Sequence, residues 1–267
     1  MFAARTELDQ VTVPDLFATL VGAQRVISVI GAGGKKTTMY ALARAASGRV
    51  ALSSTAHMYP YDRAQVDAVE TVATASVVLP QRADARVVAY GGETATAQRI
   101  GGLTSAQVAV LAADATFDLV LLKADGARAR WIKAPAAYEP IIAPCTDRVL
   151  YLVSAQVIGR PLDQRIAHRP ELIAAITGAT TGQPLTAEHV GRLLASSDGA
   201  LKDLGAMEIV PVINMVDDPA QERQAARAAT IALALTTRFD RVVLASMRTA
   251  RVVAVVARGH DRDHCTG

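Results

Sequence analysis

The residues with the clearest capacity for chemistry occupy positions 31–38 of the 267-residue chain, where the sequence reads GAGGKKTT. Its three glycines can adopt positive φ and carry no Cβ, so successive amide N–H groups can point into one concavity. The lysines and threonines add positive charge and hydroxyl groups at a helix N-terminus, which attracts anions. The segment therefore predicts a phosphate-binding turn. Its residues are Gly31, Gly33, Gly34, Lys35, Lys36, Thr37 and Thr38.

Two glycine motifs compete for this turn, and their spacing separates them. A dinucleotide fingerprint, G-x-G-x-x-G, requires a third glycine at position 36, where the chain has Lys36. A nucleotide-binding P-loop ends in G-K-[ST], and Gly34 and Lys35 supply its first two residues. Lys36 takes the place of the hydroxyl residue, and Thr37 follows it. We therefore predict a shortened, altered P-loop that binds ATP or GTP. A glycine turn without a ligand is the alternative.

A candidate carboxylate follows the apolar segment FDLVLLKAD, residues 117–125. In P-loop proteins a second strand delivers such a carboxylate toward a metal ion. Here the first carboxylate is Asp125, two positions after Lys123 and so on the same face of an extended chain. We predict Asp125 and Lys123 as catalytic residues, and Thr37 with Asp125 as Mg²⁺ ligands. The alternative for Asp125 is the first residue of an Asp-Gly turn.

A third polar motif, INMVDD, closes the apolar run at residues 208–213. Guanine-nucleotide proteins carry N-K-x-D at the end of a strand, where the aspartate accepts from the guanine ring and the asparagine steadies the loop. This chain has Asn214 and Asp217 at the matching positions. Met215 replaces the lysine and can preserve an apolar contact with a base. Asn214 and Asp217 are therefore predicted nucleotide-binding residues with a shallow preference for guanine.

Strand and helix patterns alternate along the chain, which predicts a three-layer α/β fold of P-loop type with a mostly parallel sheet. A glycine turn at positions 91 and 92 closes the fourth predicted strand, and the helices that begin near residues 170 and 219 each start with proline. Predicted strands cover residues 26–30, 49–54, 76–79, 86–90, 117–125, 149–153, 208–213, 241–245 and 251–257. Predicted helices cover residues 8–20, 106–113 and 186–195, with others starting near residues 35, 170 and 219.

The whole chain, residues 1–267, is predicted as one domain with two additions. Residues 126–146 form a long segment rich in proline and arginine beside the phosphate turn, where we expect a second substrate or a partner. Residues 158–205 are predicted as a helical insertion. His57 follows the second strand and is interpreted as a loop histidine. The C-terminal His260, His264 and Cys265 lie in a polar tail that we expect to be disordered.

Composition excludes several classes of protein. The net charge of +3 and pI near 9.0 come without a basic block or interleaved aromatic residues, so nucleic-acid binding is not expected. Cys145 and Cys265 are isolated, which indicates neither zinc nor a disulfide framework. No apolar run reaches the length of a membrane span. We expect a soluble, cytoplasmic protein, and the sequence leaves its oligomeric state open.

Four motifs along the chain carry a further signal: GAGGKKTTMYALA, ADGARARWIKAPAAYEPIIAPCTD, HRPEL and INMVDD. Through these motifs the chain resembles the YqeC family, accessory proteins of selenium-dependent molybdenum hydroxylases. The resemblance covers residues 25–248. It implies a P-loop nucleotide-binding protein that acts in selenium cofactor biosynthesis or insertion. Its partners would be the hydroxylase or the proteins that assemble the cofactor. Lys36, Lys123 and Met215 depart from the family pattern, which leaves nucleotide binding in place and weakens hydrolysis and guanine selectivity.

Two other functions fit the same residues. The first is an ATP- or GTP-dependent ligase or kinase, in which segment 126–146 binds a small acceptor. The second is a nucleotide-sensing scaffold that binds a nucleotide without turnover. Formation of a product from a supplied acceptor distinguishes the first, and recovery of intact nucleotide from a tight complex distinguishes the second.

Overall fold

The computed structural model describes residues 15–95 and 98–259. Their architecture is a nine-stranded sheet with the order β11-β10-β9-β7-β1-β5-β2-β4-β3, and a separate small sheet formed by β6 and β8. The large sheet is parallel except for β11, which pairs antiparallel with β10. The strands are β1 (Val26–Gly31), β2 (Val50–Ser54), β3 (Ala68–Val72), β4 (Val87–Gly92), β5 (Leu119–Lys123), β6 (Ile132–Lys133), β7 (Arg148–Ser154), β8 (Ala167–His168), β9 (Glu208–Asn214), β10 (Arg241–Ser246) and β11 (Arg251–Ala257).

Helices cover both faces of the sheet, which gives the predicted three layers. On one face, β-strand residues such as Ile27 and Val29 pack against α1 and α2. On the opposite face, Val149 and Tyr151 pack against α5 and α6, and α3 covers the neighbouring part of the sheet. The helices are α1 (Leu16–Leu20), α2 (Lys35–Ala45), α3 (Ser105–Ala113), α4 (Pro170–Thr177), α5 (Ala187–Ala195) and α6 (Pro219–Leu235).

The central strands are apolar because both of their faces are covered. Every residue of β1, β5 and β7 is buried, the pattern expected of parallel strands inside an α/β sheet. Register brings their carboxyl ends together: Val29 lies opposite Lys123, Gly31 opposite Leu152, and β7 ends where β9 ends. Ligands bind at this edge of open α/β sheets.

Most predicted elements are confirmed, and one strand is wrong. Residues 76–79 are not a strand; the edge strand is β3, which pairs in parallel with β4. The glycines at positions 91 and 92, predicted as a turn, are the last residues of β4. The helix predicted over residues 8–20 is described only at Leu16–Leu20, and residues 8–14 lie outside the described part. So do His260, His264 and Cys265 of the tail.

The segment predicted as irregular, residues 126–146, contains the short strand β6. Ile132 and Lys133 pair in parallel with Ala167 and His168 of β8. Both strands lie in the regions predicted as a loop and as an insertion, so this small sheet joins the two regions. Residues 158–205, predicted as a helical insertion, contain the helices α4 and α5. In the part of the chain that the structure describes, no helix has the length and apolarity to cross a membrane.

Candidate functional site

The glycine turn between β1 and α2 has the predicted positive φ at all three glycines, with values of +86°, +85° and +111°. A Cβ at Gly31 would lie 2.2 Å from the carbonyl oxygen of Leu152, and one at Gly33 would lie 2.7 Å from the amide nitrogen of Ser154. Glycine is therefore required at both positions by backbone contact as well as by φ. The turn packs directly on the end of β7.

The amide groups of this turn divide into two sets. Gly31 donates to Asp125 Oδ2 at 2.9 Å, and Gly33 donates to the carbonyl of Arg130 at 3.0 Å. The Gly33 amide, which the sequence assigned to phosphate, therefore joins the turn to segment 126–146 instead. The first hydrogen bond within α2 runs from the Thr38 amide to the Gly34 carbonyl. The N-cap residue is Gly34, which has no side chain to accept from the amides of the first helical turn. The amides of the first helical turn are thus the donors that can bind an anion.

Lys35 and Asp125 form a buried ion pair below the turn. Their side chains are almost fully buried, and Lys35 Nζ lies 2.8 Å from Asp125 Oδ1. Lys35 Nζ also donates to the carbonyl of Gly31. Burial lowers the pKa of Lys35, although Asp125 opposes the shift. The predicted phosphate lysine therefore lies folded onto its own turn, held by a carboxylate that a ligand phosphate could replace.

Asp125 is surrounded by donors. Its Oδ2 accepts from the Gly31 amide and lies 2.9 Å from Lys133 Nζ, while Oδ1 faces Lys35. Asp125 thus lies beside the glycine turn, and its predicted catalytic role stays a prediction. As the side chains lie, both oxygens face cations, so this residue does not fit Mg²⁺. Within residues 15–95 and 98–259, no three His, Cys, Asp or Glu side chains cluster as a metal site.

A chain of charged side chains leads from this pair to the insertion. Lys133 Nζ lies 2.8 Å from Glu139 Oε2, which is also 2.7 Å from a guanidinium nitrogen of Arg169. Burial opposes ionisation of Glu139, but Lys133 and Arg169 hold its pKa at about 2. Sequence reasoning missed Lys133, Glu139 and Arg169 as site residues. The only signal was their position in the two motifs KAPAAYEP and HRPEL.

Lys123, the last residue of β5, differs from the other buried cations of this site. Its side chain is 8% exposed, and its Nζ has no hydrogen-bond partner among the described residues. Burial, with help from the nearby Lys35, lowers its pKa to about 8. A buried ammonium group without a partner is costly. Lys123 is therefore the residue most directly suited to an anionic ligand.

The charges of the cluster do not balance. Four cationic side chains share two carboxylates, so the cluster has an excess of two positive charges. The cations are Lys35, Lys123, Lys133 and Arg169, and the carboxylates are Asp125 and Glu139. An arrangement of this kind attracts a ligand with at least two negative charges.

A cavity of about 470 Å³ opens above this cluster, and we call it the P-loop cleft. One wall is the glycine turn and the start of α2. The other walls come from the loop after β2, the segment after β5 and the residues that precede α4. Its ionisable lining is Lys35, Lys36, His57, Tyr59, Arg99, Lys123, Arg128, Arg130, Tyr138, Glu139, His168 and Arg169. Among the described lining residues Glu139 is the single acidic side chain, which makes the cleft strongly cationic.

Lys36, Thr37 and Thr38 have three different surroundings. Thr37 is exposed and lines the P-loop cleft, whereas Thr38 is buried and its Oγ1 donates to the carbonyl of Gly34 at 3.1 Å. Lys36 Nζ donates to the carbonyl of Pro60 at 2.6 Å, and burial lowers its pKa. Of these two hydroxyls, that of Thr37 is therefore the one placed to reach a phosphate or its counter-ion.

A second cavity, of about 420 Å³, lies on the other side of the turn and also includes Thr37 in its lining. We call it the Asn214 cavity. Asn214 Nδ2 donates to the carbonyl of Gly33 at 2.8 Å, and its Oδ1 accepts from the Met247 amide at 2.9 Å. Asp217 Oδ1 accepts from Ser246 Oγ at 2.6 Å. The structure thus places Asn214 against the glycine turn, which it steadies, and Asp217 in the lining of the same cavity. Their role in binding a base stays a prediction.

Left-handed backbone conformations concentrate around the two cavities. Six described residues other than glycine have positive φ, and four of them line or flank these cavities: Arg128, Ala129, Arg169 and Met215. Such conformations cost about 1 kcal/mol or more each and persist where the surroundings impose them, often at functional sites. Arg128 and Ala129 occupy the central positions of a tight turn closed by the Arg130 amide and the Ala127 carbonyl, 2.8 Å apart.

Comparison with known proteins agrees with these motifs. A family model described as YqeC protein matches residues 27–171, more than half of the chain. The chain belongs to the YqeC family. It is also similar to a protein named Uncharacterized protein YqeC from Escherichia coli (strain K12), with 28% identity over 200 residues. That match covers 72% of this chain and 77% of the relative.

The YqeC family match contains the whole charged cluster described above. The matched region begins in β1 and ends in the first turn of α4, so it runs from the glycine turn to Arg169. Asn214 and Asp217 lie outside it. The family model therefore spans the whole lining of the P-loop cleft, whereas most of the lining of the Asn214 cavity lies beyond the matched region.

Proposed function

We propose that this YqeC-family protein is a nucleotide-binding accessory protein that acts in selenium cofactor biosynthesis or in maturation of a selenium-dependent molybdenum hydroxylase. The observation that carries the nucleotide part is the buried cluster with two uncompensated positive charges, set at the N-terminus of α2. The role with selenium is supported by the resemblance of the motifs to the YqeC family. The two parts are tested separately.

The arrangement supports one binding mode for ATP or GTP. The phosphates bind at the first turn of α2, where amide groups and the helix dipole favour anions. Lys123 contacts the terminal phosphate, and Lys35 exchanges Asp125 for a phosphate oxygen. The base lies in the Asn214 cavity, on the opposite side of Thr37. Lys36 and Lys123 supply charge that Mg²⁺ supplies in other P-loop proteins, so nucleotide binding depends little on the metal.

Calorimetric titration with ATP and GTP tests the nucleotide part. Lys35→Ala should weaken binding at least tenfold, because a charge-assisted contact to phosphate contributes about 1.5–3 kcal/mol. Arg165→Ala is the control, since Arg165 is exposed and pairs only with Asp163 in the insertion. Equal nucleotide affinity in the wild type and Lys35→Ala would refute the proposed phosphate site.

Selenium content tests the accessory role. In a host that makes a selenium-dependent molybdenum hydroxylase, deletion of the gene should lower the selenium bound per hydroxylase without lowering its molybdenum. Elemental analysis of the purified hydroxylase measures both. Complementation with Lys35→Ala should fail and complementation with Arg165→Ala should succeed. An unchanged selenium content after deletion would remove the accessory role and leave nucleotide binding in place.

One observation favours a second candidate function, an ATP- or GTP-dependent ligase or kinase. Part of the P-loop cleft is lined by His57, Tyr59 and Arg99, which come from the loops after β2 and β4 and belong to neither the glycine turn nor the charged cluster. An acceptor in that part would lie next to the terminal phosphate. Transfer of a labelled γ-phosphate, or release of a labelled product from a supplied acceptor, would favour this function over an accessory role.

A further inference from the structure

The part of the P-loop cleft outside the glycine turn and the buried charged cluster has its own chemistry. We call it the outer cleft and define it by His57, Tyr59, Arg99, Arg128, Arg130 and Tyr138. No ion pair among the described residues joins its three arginines to a carboxylate. The acidic residue of the cleft, Glu139, is already paired with Lys133 and Arg169. The outer cleft therefore carries positive charge that the described protein groups leave uncompensated.

Two exposed aromatic rings accompany this charge. Tyr138 is 74% exposed and Tyr59 is 54% exposed, although large aromatic side chains usually gain stability from burial. Each has a guanidinium group over its ring: Arg99 lies 4.3 Å from the Tyr59 centroid, and Arg169 lies 5.9 Å from the Tyr138 centroid. Stacked tyrosine and arginine surfaces suit a planar, unsaturated ring.

The backbone fixes the outer cleft relative to the glycine turn. Arg128 occupies a left-handed position in the tight turn at residues 127–130, and the carbonyl of Arg130 accepts from the Gly33 amide at 3.0 Å. One hydrogen bond thus joins the phosphate turn to the segment that carries two of the arginines. Lys123, whose buried Nζ has no described hydrogen-bond partner, lines the same cleft. The structure therefore holds two anion-attracting regions in one cleft.

We propose that the outer cleft binds a second substrate, a small molecule with a phosphate monoester on a planar ring, while the nucleotide occupies the glycine turn and the Asn214 cavity. The ring packs between Tyr59 and Tyr138, and the phosphate contacts Arg128 and Arg130. This assignment rests on the proposed nucleotide site, since it places the nucleotide elsewhere in the same cleft. It names the chemical class of the second ligand, which binds in the same cleft as the nucleotide.

Binding of 1-naphthyl phosphate tests the assignment, with 1-naphthol and inorganic phosphate as matched probes. Calorimetry is performed on the whole protein, with and without saturating nucleotide. We expect 1-naphthyl phosphate to bind at least tenfold more tightly than either matched probe, and to bind in the presence of nucleotide. Arg128→Ala and Tyr138→Ala should each weaken its binding at least fivefold. Arg165→Ala, which removes an exposed arginine of the insertion, should leave it unchanged.

The outcomes separate this assignment from the nucleotide site. Nucleotide binding without any binding of 1-naphthyl phosphate would overturn the assignment and preserve the proposed function. Full displacement of the probe by nucleotide would also overturn it, because the outer cleft would then belong to the nucleotide. Binding of the probe that depends on Arg128 and Tyr138, in a protein that binds no nucleotide, would support the outer cleft and refute the proposed function. Melting curves confirm that each variant is folded.

Discussion

Among single residues, Lys123 shows most directly a conflict between stability and function. Its Nζ is buried without a hydrogen-bond partner in the described protein, and the nearest charges include the like-charged Lys35. Folding therefore desolvates an ammonium group and offers it no acceptor, which destabilises the native state. A chain selected only for stability would place an apolar residue at the end of β5. We expect an anion in the P-loop cleft to supply the missing partner.

Lys123→Met should therefore stabilise the protein without ligand and weaken its binding of nucleotide. The change keeps the packing volume and removes the buried charge, so we expect a gain of about 1–2 kcal/mol in unfolding free energy. Nucleotide affinity should fall at least tenfold, because the charge-assisted contact is lost. Chemical denaturation and calorimetry measure the two effects.

Lys202→Met is the matched control for this change. Lys202 Nζ donates to the carbonyl of Glu139 at 2.9 Å, so the same substitution removes a lysine that does have a partner. The control should lose stability, whereas Lys123→Met gains it. A loss of stability in both variants would show that Lys123 is satisfied in solution and does not await an anion.

His168 should make stability fall as the solution is acidified. Burial and the neighbouring Arg169 lower its pKa to about 4. The unfolded chain takes up a proton near pH 6.5, whereas the folded protein does so only near pH 4. The contribution of His168 to the unfolding free energy is therefore fully present above pH 6.5, and it is lost as the pH falls from 6.5 toward 4.

The variant His168→Gln measures this contribution. Between pH 7 and pH 5 the wild type should lose about 1 kcal/mol more than the variant, a figure reduced for the partial exposure of the ring. For a domain of this size that corresponds to about 2–4 °C in melting temperature. Parallel pH dependences of the two melting temperatures would mean that His168 titrates normally in the folded protein.

The elements β9 and β10 decide whether the Asn214 cavity selects a base. Asn214 ends β9, Ser246 ends β10, and the two ends meet beside the glycine turn through the Asn214 and Asp217 side chains. Asp217 keeps a partly exposed carboxylate at this junction. We expect GTP to bind more tightly than ATP by a modest factor, because Met215 supplies an apolar contact without the charge of lysine.

Asp217→Ala should abolish the preference for GTP and leave ATP affinity almost unchanged. Asp240→Ala is the control, since Asp240 is an exposed carboxylate at the far end of β10. Competition titrations of both nucleotides measure the preference. Tighter binding of ATP, with no effect of Asp217→Ala, would place the base outside the Asn214 cavity.

At the level of strands, the sequence predicted well the elements that are buried on both sides. β1, β5 and β9 appear as short apolar runs bounded by polar or glycine residues, because parallel strands covered on both faces need apolar residues throughout. The edge strand β3 was missed because AVETV is only partly buried and contains Glu70. The apolar run at residues 76–79 was chosen instead, although Val77 and Val78 are 54% and 76% exposed.

The charged cluster was harder to predict than the glycine turn. Glycine, lysine and threonine in GAGGKKTT carry their chemistry within eight residues, so a local pattern is sufficient. Lys133, Glu139 and Arg169 come together only because β6 pairs with β8 and brings two distant segments into contact. The left-handed conformation of Arg128 was equally hidden, since nothing in the residue type requires it.

In the molecule as a whole, the residues of the candidate site come from distant parts of the chain and meet at the carboxyl edge of the sheet. The parallel register aligns the ends of these strands. At those ends lie the glycine turn, Lys123, Asn214 and the turn after β10. The two cavities flank the glycine turn, one strongly cationic and the other more apolar. This division matches a nucleotide whose phosphates and base point in opposite directions from α2.

Taken together, the described residues supply ample positive charge to this site and few ligands for a metal, so intrinsic nucleotide hydrolysis should be slow or absent. P-loop enzymes hold Mg²⁺ through a hydroxyl after the lysine and a carboxylate on the neighbouring strand, and the metal neutralises charge on the transferred group. Here Lys36 and Lys123 occupy the corresponding positions, and Asp125 is held by Lys35 and Lys133. Turnover should fall well below the range of about 1–100 s⁻¹ typical of kinases.

Restoring the missing oxygen ligands should restore catalysis. The double variant Lys36→Thr with Lys123→Glu should show stronger dependence of nucleotide binding on Mg²⁺ and faster phosphate release than the wild type, because a hydroxyl and a carboxylate can then hold the metal. The single variants serve as controls, since each supplies only one ligand. Phosphate release and Mg²⁺ titrations measure both effects. Rapid Mg²⁺-dependent hydrolysis by the wild type without a partner protein would instead assign the metal to Thr37, Thr38 or a rearranged Asp125.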